Sequence, residues 1–348
     1  MIKRIQPRVR TMIGVCLVLF TGAISACRPA EPPPVPLEDL DPVTLQLSWF
    51  HSTGFIGYYV AQEKGYYQQE GLNVTLTEGG PGITTPEILA DQTADFVVLS
   101  ATQHRNLLLD DKPAVALMAP FQISPRVFYS LEELNIVRPH EMVGRKVGIT
   151  SNGWRNRIYQ TLEKVEVPTS GIIEVEVSSE QVQKGAALLE EGVADVLTGF
   201  VNDEVVKAEL DGYTVNKIFP ADYDVGLYTG LLVAHQNILD TRSNEVERFM
   251  AATLRGWQFA VECNQEAAQI MLKWESEGSL SADWDQAQRL SFYEKSILAL
   301  VPLIDTGQVP IGWIDDKRWQ REMGAAYITG PGYTTSYVTS SANLRCQA

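Results

Sequence analysis

The 348-residue chain carries 28 lysines and arginines against 43 aspartates and glutamates, a net charge of −15. That balance argues against a nucleic-acid partner, whose phosphates demand a basic face, and mildly against a small anion such as a sulfonate, unless a local basic pocket overrides the global field. Four scattered histidines, His51, His104, His140 and His235, have no cysteine or histidine at ligand spacing, so no metal site or cofactor is predicted.

The first element is a leader. Lys3, Arg4, Arg8 and Arg10 precede an apolar run over 12–20 that is too short to cross about 30 Å of hydrocarbon as a permanent helix. The box Ile24-Ser25-Ala26-Cys27 matches bacterial lipoprotein processing. Residues 1–26 are thus expected to be a signal peptide and Cys27 the lipidated first residue of the mature chain, anchored by acyl chains worth roughly 0.8 kcal/mol per buried methylene. Arg28-Pro29-Ala30-Glu31-Pro32-Pro33-Pro34 favours an extended spacer, so 27–42 reads as a tether on the extracytoplasmic face of the cell membrane. Removing the four leader bases leaves 24 bases against 43 acids, a net charge of about −19. Cys16 falls in the leader, which leaves Cys263 and Cys346 as a candidate disulfide.

The remaining length suits two domains. In chain order, 44–47 and 73–77 read as strands flanking a helix over 57–64 that Gly65 stops, a β-α-β opening. An internal echo follows: Ala94-Asp95 and Ala194-Asp195 each stand between a helix and a buried apolar strand. Thr85 is expected as the N-cap of the first of these helices with Pro86 at its first position, and a capping box of Ser178 and Gln181 opens the second. New helices begin near Thr102 and Asn202. Residues 125–129 read as a crossing strand, 146–150 as the opening of a second lobe and 229–234 as the return crossing. Helices dominate from 243 to about 299, packing back on the first lobe. Strands alternating with helices predict an α/β protein with parallel sheets, whose ligands bind beyond the carboxyl ends of the strands. The expected division is 43–127 with 229–348 as lobe one and 128–228 as lobe two, joined by two crossings around a cleft that can close on a ligand.

Trp49, Gly57-Tyr58-Tyr59-Val60-Ala61, Lys64-Gly65-Tyr66 and Glu70-Gly71-Leu72 together resemble the bacterial solute-binding proteins of the NMT1/THI5-like group. Gly79-Gly80-Pro81, Lys146-Val147-Gly148, Asn202-Asp203-Glu204, Asp222-Tyr223-Asp224-Val225 and Arg255-Gly256-Trp257 add weaker matches over roughly 43–275. The resemblance implies a two-lobed periplasmic-binding-protein type II fold. It also implies a monomeric lipoprotein that delivers a small molecule to the permease of an ABC importer and, through it, to an ATPase. Members of the group bind thiamine pyrimidine precursors, riboflavin and sulfonates. Where pyrimidine-binding members carry a polar stretch after the tryptophan, this chain has Phe50-His51-Ser52-Thr53-Gly54-Phe55, which favours a larger flat ring such as riboflavin.

The candidate ligand-binding residues are Trp49, Phe55, Tyr58, Ser100, Asn152, Trp154, Phe200, Glu204 and Tyr223. Trp49 and Trp154, from opposite lobes, offer indole faces for stacking a ring between them. Tyr58 and Tyr59 cannot share one helical face, so one is expected in the core and the other at the cleft. Ser100 and Thr102, and likewise Ser151, Asn152 and Gly153, stand at helix starts where hydroxyls and amides can meet a polar ligand edge; plain capping is the alternative. Phe200 and Glu204 match an aromatic and a carboxylate that the family places after the second buried strand. Such a carboxylate would accept hydrogen bonds from a ring amine and repel a sulfonate. Arg155 and Arg157 keep an anionic ligand open. Related eukaryotic enzymes synthesise the thiamine pyrimidine with a cysteine-rich cluster, and nothing here corresponds to it, so no catalysis is predicted.

Overall fold

The computed structural model describes residues 39–178, 181, 184–275, 284–329 and 332–339. Cys27, the leader and Cys346 lie outside these residues; Cys263 is half-buried between two C-terminal helices.

Two sheets organise the chain. The first has the order β2-β1-β3-β10-β4, built from β1 (Asp41–Gln46), β2 (Leu72–Thr77), β3 (Phe96–Leu99), β4 (Ala114–Met118) and β10 (Leu231–His235). In the second, β5 (Arg126–Leu131) lies between β8 (Leu197–Phe200) and β9 (Val215–Ile218), while β6 (Lys146–Ile149) pairs with β7 (Ile173–Glu176). A parallel bridge from Val147 to Val196 joins these pieces, giving the order β7-β6-β8-β5-β9 and mirroring the first sheet strand for strand. The Ala-Asp echo has a physical cause. Asp95 accepts from the Thr44 amide at 2.7 Å and Asp195 from the Lys146 amide at 2.8 Å, so each carboxylate fixes the strand that opens its own sheet.

The sheets are mixed, not parallel throughout. β1 runs parallel to β2 and β3, and β6 to β7, but β10 is antiparallel to β3 and β4, and β5 to β8 and β9. The reason is the crossings: β5 follows β4 of the first sheet and β10 follows β9 of the second, each changing sheets without the helix that a parallel connection requires. The boundaries differ slightly from expectation. Leu40 is buried and Asp41 and Pro42 already belong to β1, while Arg126 and Val127 belong to the second sheet.

The longer helices among the described residues are α1 (Ile56–Glu63), α2 (Ala101–Leu109), α3 (Asn152–Lys164), α4 (Ser243–Glu262), α5 (Asn264–Met271), α6 (Gln286–Ile304) and α7 (Asp316–Met323). Gly65, at φ 68°, stops α1 where a side chain would be strained. The capping box of Ser178 and Gln181 is present, with both reciprocal hydrogen bonds. The first echoed helix begins at Thr85, with Thr84 in the cap position.

α1 and α4 cross at their glycines. A Cβ on Gly57 would lie 2.2 Å from the Trp257 ring, and one on Gly256 would lie 2.1 Å from the Gly57 carbonyl oxygen. The Tyr58 ring meets Trp257 edge-on at 5.6 Å. Family motifs around Gly57 and around Gly256 are therefore two halves of one helix contact. α6 does more than cover the first sheet. Its Ser296 hydroxyl donates to the Asn202 carbonyl at 2.5 Å, and Asn202 Nδ2 donates to Thr53 Oγ1 at 3.1 Å, so a buried asparagine ties the second half to the segment leading into α1. One apolar core runs from Val43 and Phe96 through α4 and α6 to Leu197 and Val205.

Candidate functional site

Each sheet ends, at its carboxyl edge, in a capped helix start. After β3, the Ser100 hydroxyl accepts from the Gln103 amide at 3.2 Å while Gln103 Oε1 accepts from the Ser100 amide at 2.9 Å, a complete capping box on α2. Next to β6, Ser151 caps α3 by accepting from the Trp154 amide at 3.3 Å. The first-turn amides of both helices have no helical carbonyl within reach.

Between these helix starts lies a cavity of about 370 Å³, within the range of roughly 300–1,000 Å³ typical of small-molecule sites. Ser100, Thr102, Gln103 and Arg105 line it from the first sheet's side, and Ser151, Gly153, Trp154, Asn156, Arg157 and Gln160 from α3. The crossings supply Arg126, at the start of β5, and Gly226; β8 ends in Phe200, and α7 contributes Glu322. Phe200 and Trp154 meet edge-on, centroids 5.8 Å apart, and the Arg126 guanidinium lies over the Phe200 ring at 5.5 Å. Burial, and then the like charge of Arg157, pushes Arg126 down to about 9; burial also lowers Arg157, opposed by Glu322. Glu322 itself accepts from the Leu227 amide at 2.7 Å.

Of the expected ligand residues, the cavity brings together Ser100, Trp154 and Phe200. Trp49 stands past the end of β1, the parallel neighbour of β3, with its indole 52 % exposed and edge-on to Phe50. It does not line the cavity, so it does not face Trp154 across it. Phe55 and Tyr58 are core residues. Tyr59 is buried as well, against the expectation that one of the pair faces the cleft, because α1 is enclosed on both sides: Tyr59 stacks on Trp274 at 5.0 Å and hydrogen-bonds His51 Nδ1 at 2.9 Å. The Asn152 side chain accepts from Arg155 Nη1 at 2.5 Å, and Tyr223 sits half-buried in the turn Pro220–Tyr223 against α3. Neither lines the cavity.

Glu204 requires a correction. Its carboxylate turns back within a single π turn, Val201–Val205, to accept from the Phe200 amide at 2.7 Å, packed against the backbone of Gly199, where a Cβ would clash at 2.8 Å. It is therefore a cap beneath Phe200, outside the cavity, and its expected repulsion of an anion does not apply there. Arg155 is likewise spent outside, on Glu174 at 3.1 Å and on Glu176. Sequence reasoning missed Arg105, Arg126 and Glu322. The available signal was Arg126, a lone cation opening the otherwise apolar strand Val127-Phe128-Tyr129.

The family profile described as NMT1/THI5 like matches residues 52–267. Among curated proteins, the chain is 25 % identical over 326 residues to the riboflavin-binding protein RibY of Chloroflexus aurantiacus, covering 89 % of each chain. It is also 25 % identical over 289 residues to the formylaminopyrimidine-binding protein of Halalkalibacterium halodurans, covering 81 % of this chain and 84 % of that one. Both relatives are binding proteins, not enzymes. Among solved structures, the periplasmic aliphatic sulphonate binding protein SsuA of Escherichia coli superposes with a TM-score of 0.62 at 13 % identity, over 83 % of this chain and 91 % of that one. That likeness establishes the two-lobed periplasmic-binding-protein fold.

Proposed function

From a chain that belongs to the NMT1/THI5-like family, we propose an extracytoplasmic solute-binding lipoprotein that captures a flat heteroaromatic compound and delivers it to an ABC-importer permease. Riboflavin is the first choice of ligand and a thiamine pyrimidine precursor the second. The observation that carries the reading is the cavity itself: an aromatic pair, Trp154 and Phe200, beside two helix starts contributed by different sheets. An aromatic wall supplies apolar contact worth on the order of 1 kcal/mol beyond area burial, and the convergent polar groups set orientation. The kinship to a riboflavin-binding protein over 89 % of the chain supports the ring size.

The protein is proposed to act as a monomer anchored through Cys27. Among the described residues no helix is long and apolar enough to cross a membrane. Lobes of 43–127 with 229–348 and of 128–228, adjusted at the strand starts noted above, would close over the bound ring and offer the permease a surface distinct from the empty one. Trp49, exposed past the end of β1, is the residue proposed to meet the ring on closure.

The test is a calorimetric panel of riboflavin, formylaminopyrimidine, hydroxymethylpyrimidine and taurine against the full chain in mild detergent. Submicromolar binding of one heteroaromatic member supports the reading. Binding of taurine alone would replace it with sulfonate uptake, and the three arginines of the cavity are the specific observation in favour of that alternative.

A further inference from the structure

We infer that the compound held in this cavity is a flat ring bearing an anionic group, and that Arg126 and Arg157 bind that group. The inference rests on the capture reading above and moves its ligand from neutral riboflavin to an anionic compound of the same flat-ring class.

The surface arginines of the molecule are largely committed. Arg138, Arg155, Arg242, Arg248, Arg289 and Arg321 each pair with a carboxylate. Arg105, Arg126 and Arg157 have no carboxylate within ion-pair distance among the described residues, as is also true of Arg145, Arg255 and Arg318, but these three alone converge on one cavity. Arg105 Nε is buried with no hydrogen-bond partner among those residues. Arg126 Nη1 donates to Thr229 Oγ1, a neutral acceptor, and Glu322 offsets its charge only from beyond ion-pair distance. The one acid lining the cavity is Glu322, already engaged by the Leu227 amide. The lining thus carries a net charge of about +2 in a protein whose net charge is −15.

Gathering these cations in one cavity is costly. Like charges face one another where water is partly excluded, and desolvation weakens each guanidinium. An anion reverses both penalties, and guanidinium forks bind carboxylate, sulfonate and phosphate oxygens with directional, charge-assisted bonds. The starts of α2 and α3 reinforce the same sign of ligand, since their helix dipoles, and the first-turn amides that the Ser100 and Ser151 caps do not take, favour negative charge. The aromatic wall lies beside the cations, with Arg126 itself over the Phe200 ring. One molecule can then place a ring on Trp154 and Phe200 and its anion on the arginines.

The experiment compares two ring pairs on the full chain in mild detergent: riboflavin with its 5′-phosphate, and hydroxymethylpyrimidine with its phosphate. Flavin fluorescence quenching and calorimetry read the affinities. The phosphorylated member of at least one pair is expected to bind about tenfold tighter or more, and that ratio is expected to fall to near one in Arg126→Met and in Arg157→Met. Reading a ratio separates loss of the anion contact from general damage, and a thermal melt identifies a variant that fails to fold, in which case the other decides. Equal binding within each pair overturns this inference while leaving the capture reading in place. A preference that survives both substitutions overturns the assignment to these arginines. No binding by any of the four removes both readings.

Discussion

Gly256→Ala tests whether the family motif is a packing device. A methyl at this position would lie 2.1 Å from the Gly57 carbonyl oxygen and 2.8 Å from the Ala61 Cβ. Ordinary contact needs roughly 3.5 Å, so α1 and α4 must separate by about 1 Å. That separation also loosens Trp257, fully buried between Tyr58 and Phe121. Overpacking of this kind costs about 3 kcal/mol, while alanine returns about 1 kcal/mol of helix propensity. The net loss is about 2 kcal/mol, or roughly 3 °C in Tm for a protein of this size. Differential scanning calorimetry measures it. Gly57→Ala should behave alike, and the double variant should lose less than the sum, since both strain one contact. A Gly256→Ala melting temperature at or above wild type would refute the reasoning, because it would mean the propensity gain acts unopposed.

Asn202→Ala removes the buried hydrogen bond from Asn202 Nδ2 to Thr53 while keeping the residue 202 carbonyl that Ser296 meets, and is expected to cost about 1 kcal/mol in urea titrations; unchanged stability would show that the side-chain bond contributes nothing. Asp95→Ala should destabilise more than Asp195→Ala. Asp95 serves the Thr44 amide, the Thr44 hydroxyl and Arg242, whereas Asp195 meets the more exposed Lys146 amide; equal melting temperatures for the two variants would count against this account of the repeat. The Asp203 carboxyl is held well above the usual carboxylate range, by burial first and by Glu204 second. The folded state therefore keeps a proton that the unfolded state has lost, so this group's contribution to stability is greatest below about pH 4 and falls as pH rises toward the folded value. The unfolding free energy from urea titrations should fall more steeply between pH 5 and pH 8 in wild type than in Asp203→Asn, by up to about 1.4 kcal/mol per pH unit, and parallel profiles would rule the effect out.

Local features of the fold were legible in the sequence. Gly65 marked the end of the first helix, Ser178 and Gln181 announced a cap, and the Ala-Asp echo marked two related halves, because each depends on residues a few positions apart. Strand direction was not legible. Whether β5 and β10 pair parallel or antiparallel depends on which sheet receives them, and no local pattern encodes that choice. The site divided along the same line. Trp154, Ser100 and Phe200 follow strands and could be placed by the rule that ligands meet strand ends. Arg126, Arg105 and Glu322 converge from a crossing, a helix and the C-terminal region, and their meeting is a tertiary fact. Tyr58 and Glu204 misled for opposite reasons. An aromatic in a recognition motif was filling a helix crossing, and a carboxylate one turn from the cavity found its partner in its own backbone.

The most direct test of the central claim, that a flat ring is captured against Trp154 and Phe200, is a fluorescence titration of riboflavin with wild type and with Trp154→Ala. The account predicts strong quenching at submicromolar wild-type protein and at least about tenfold weaker binding by the variant, roughly 1.4 kcal/mol. Equal quenching by both proteins would contradict it, since the ring would then be bound away from this wall.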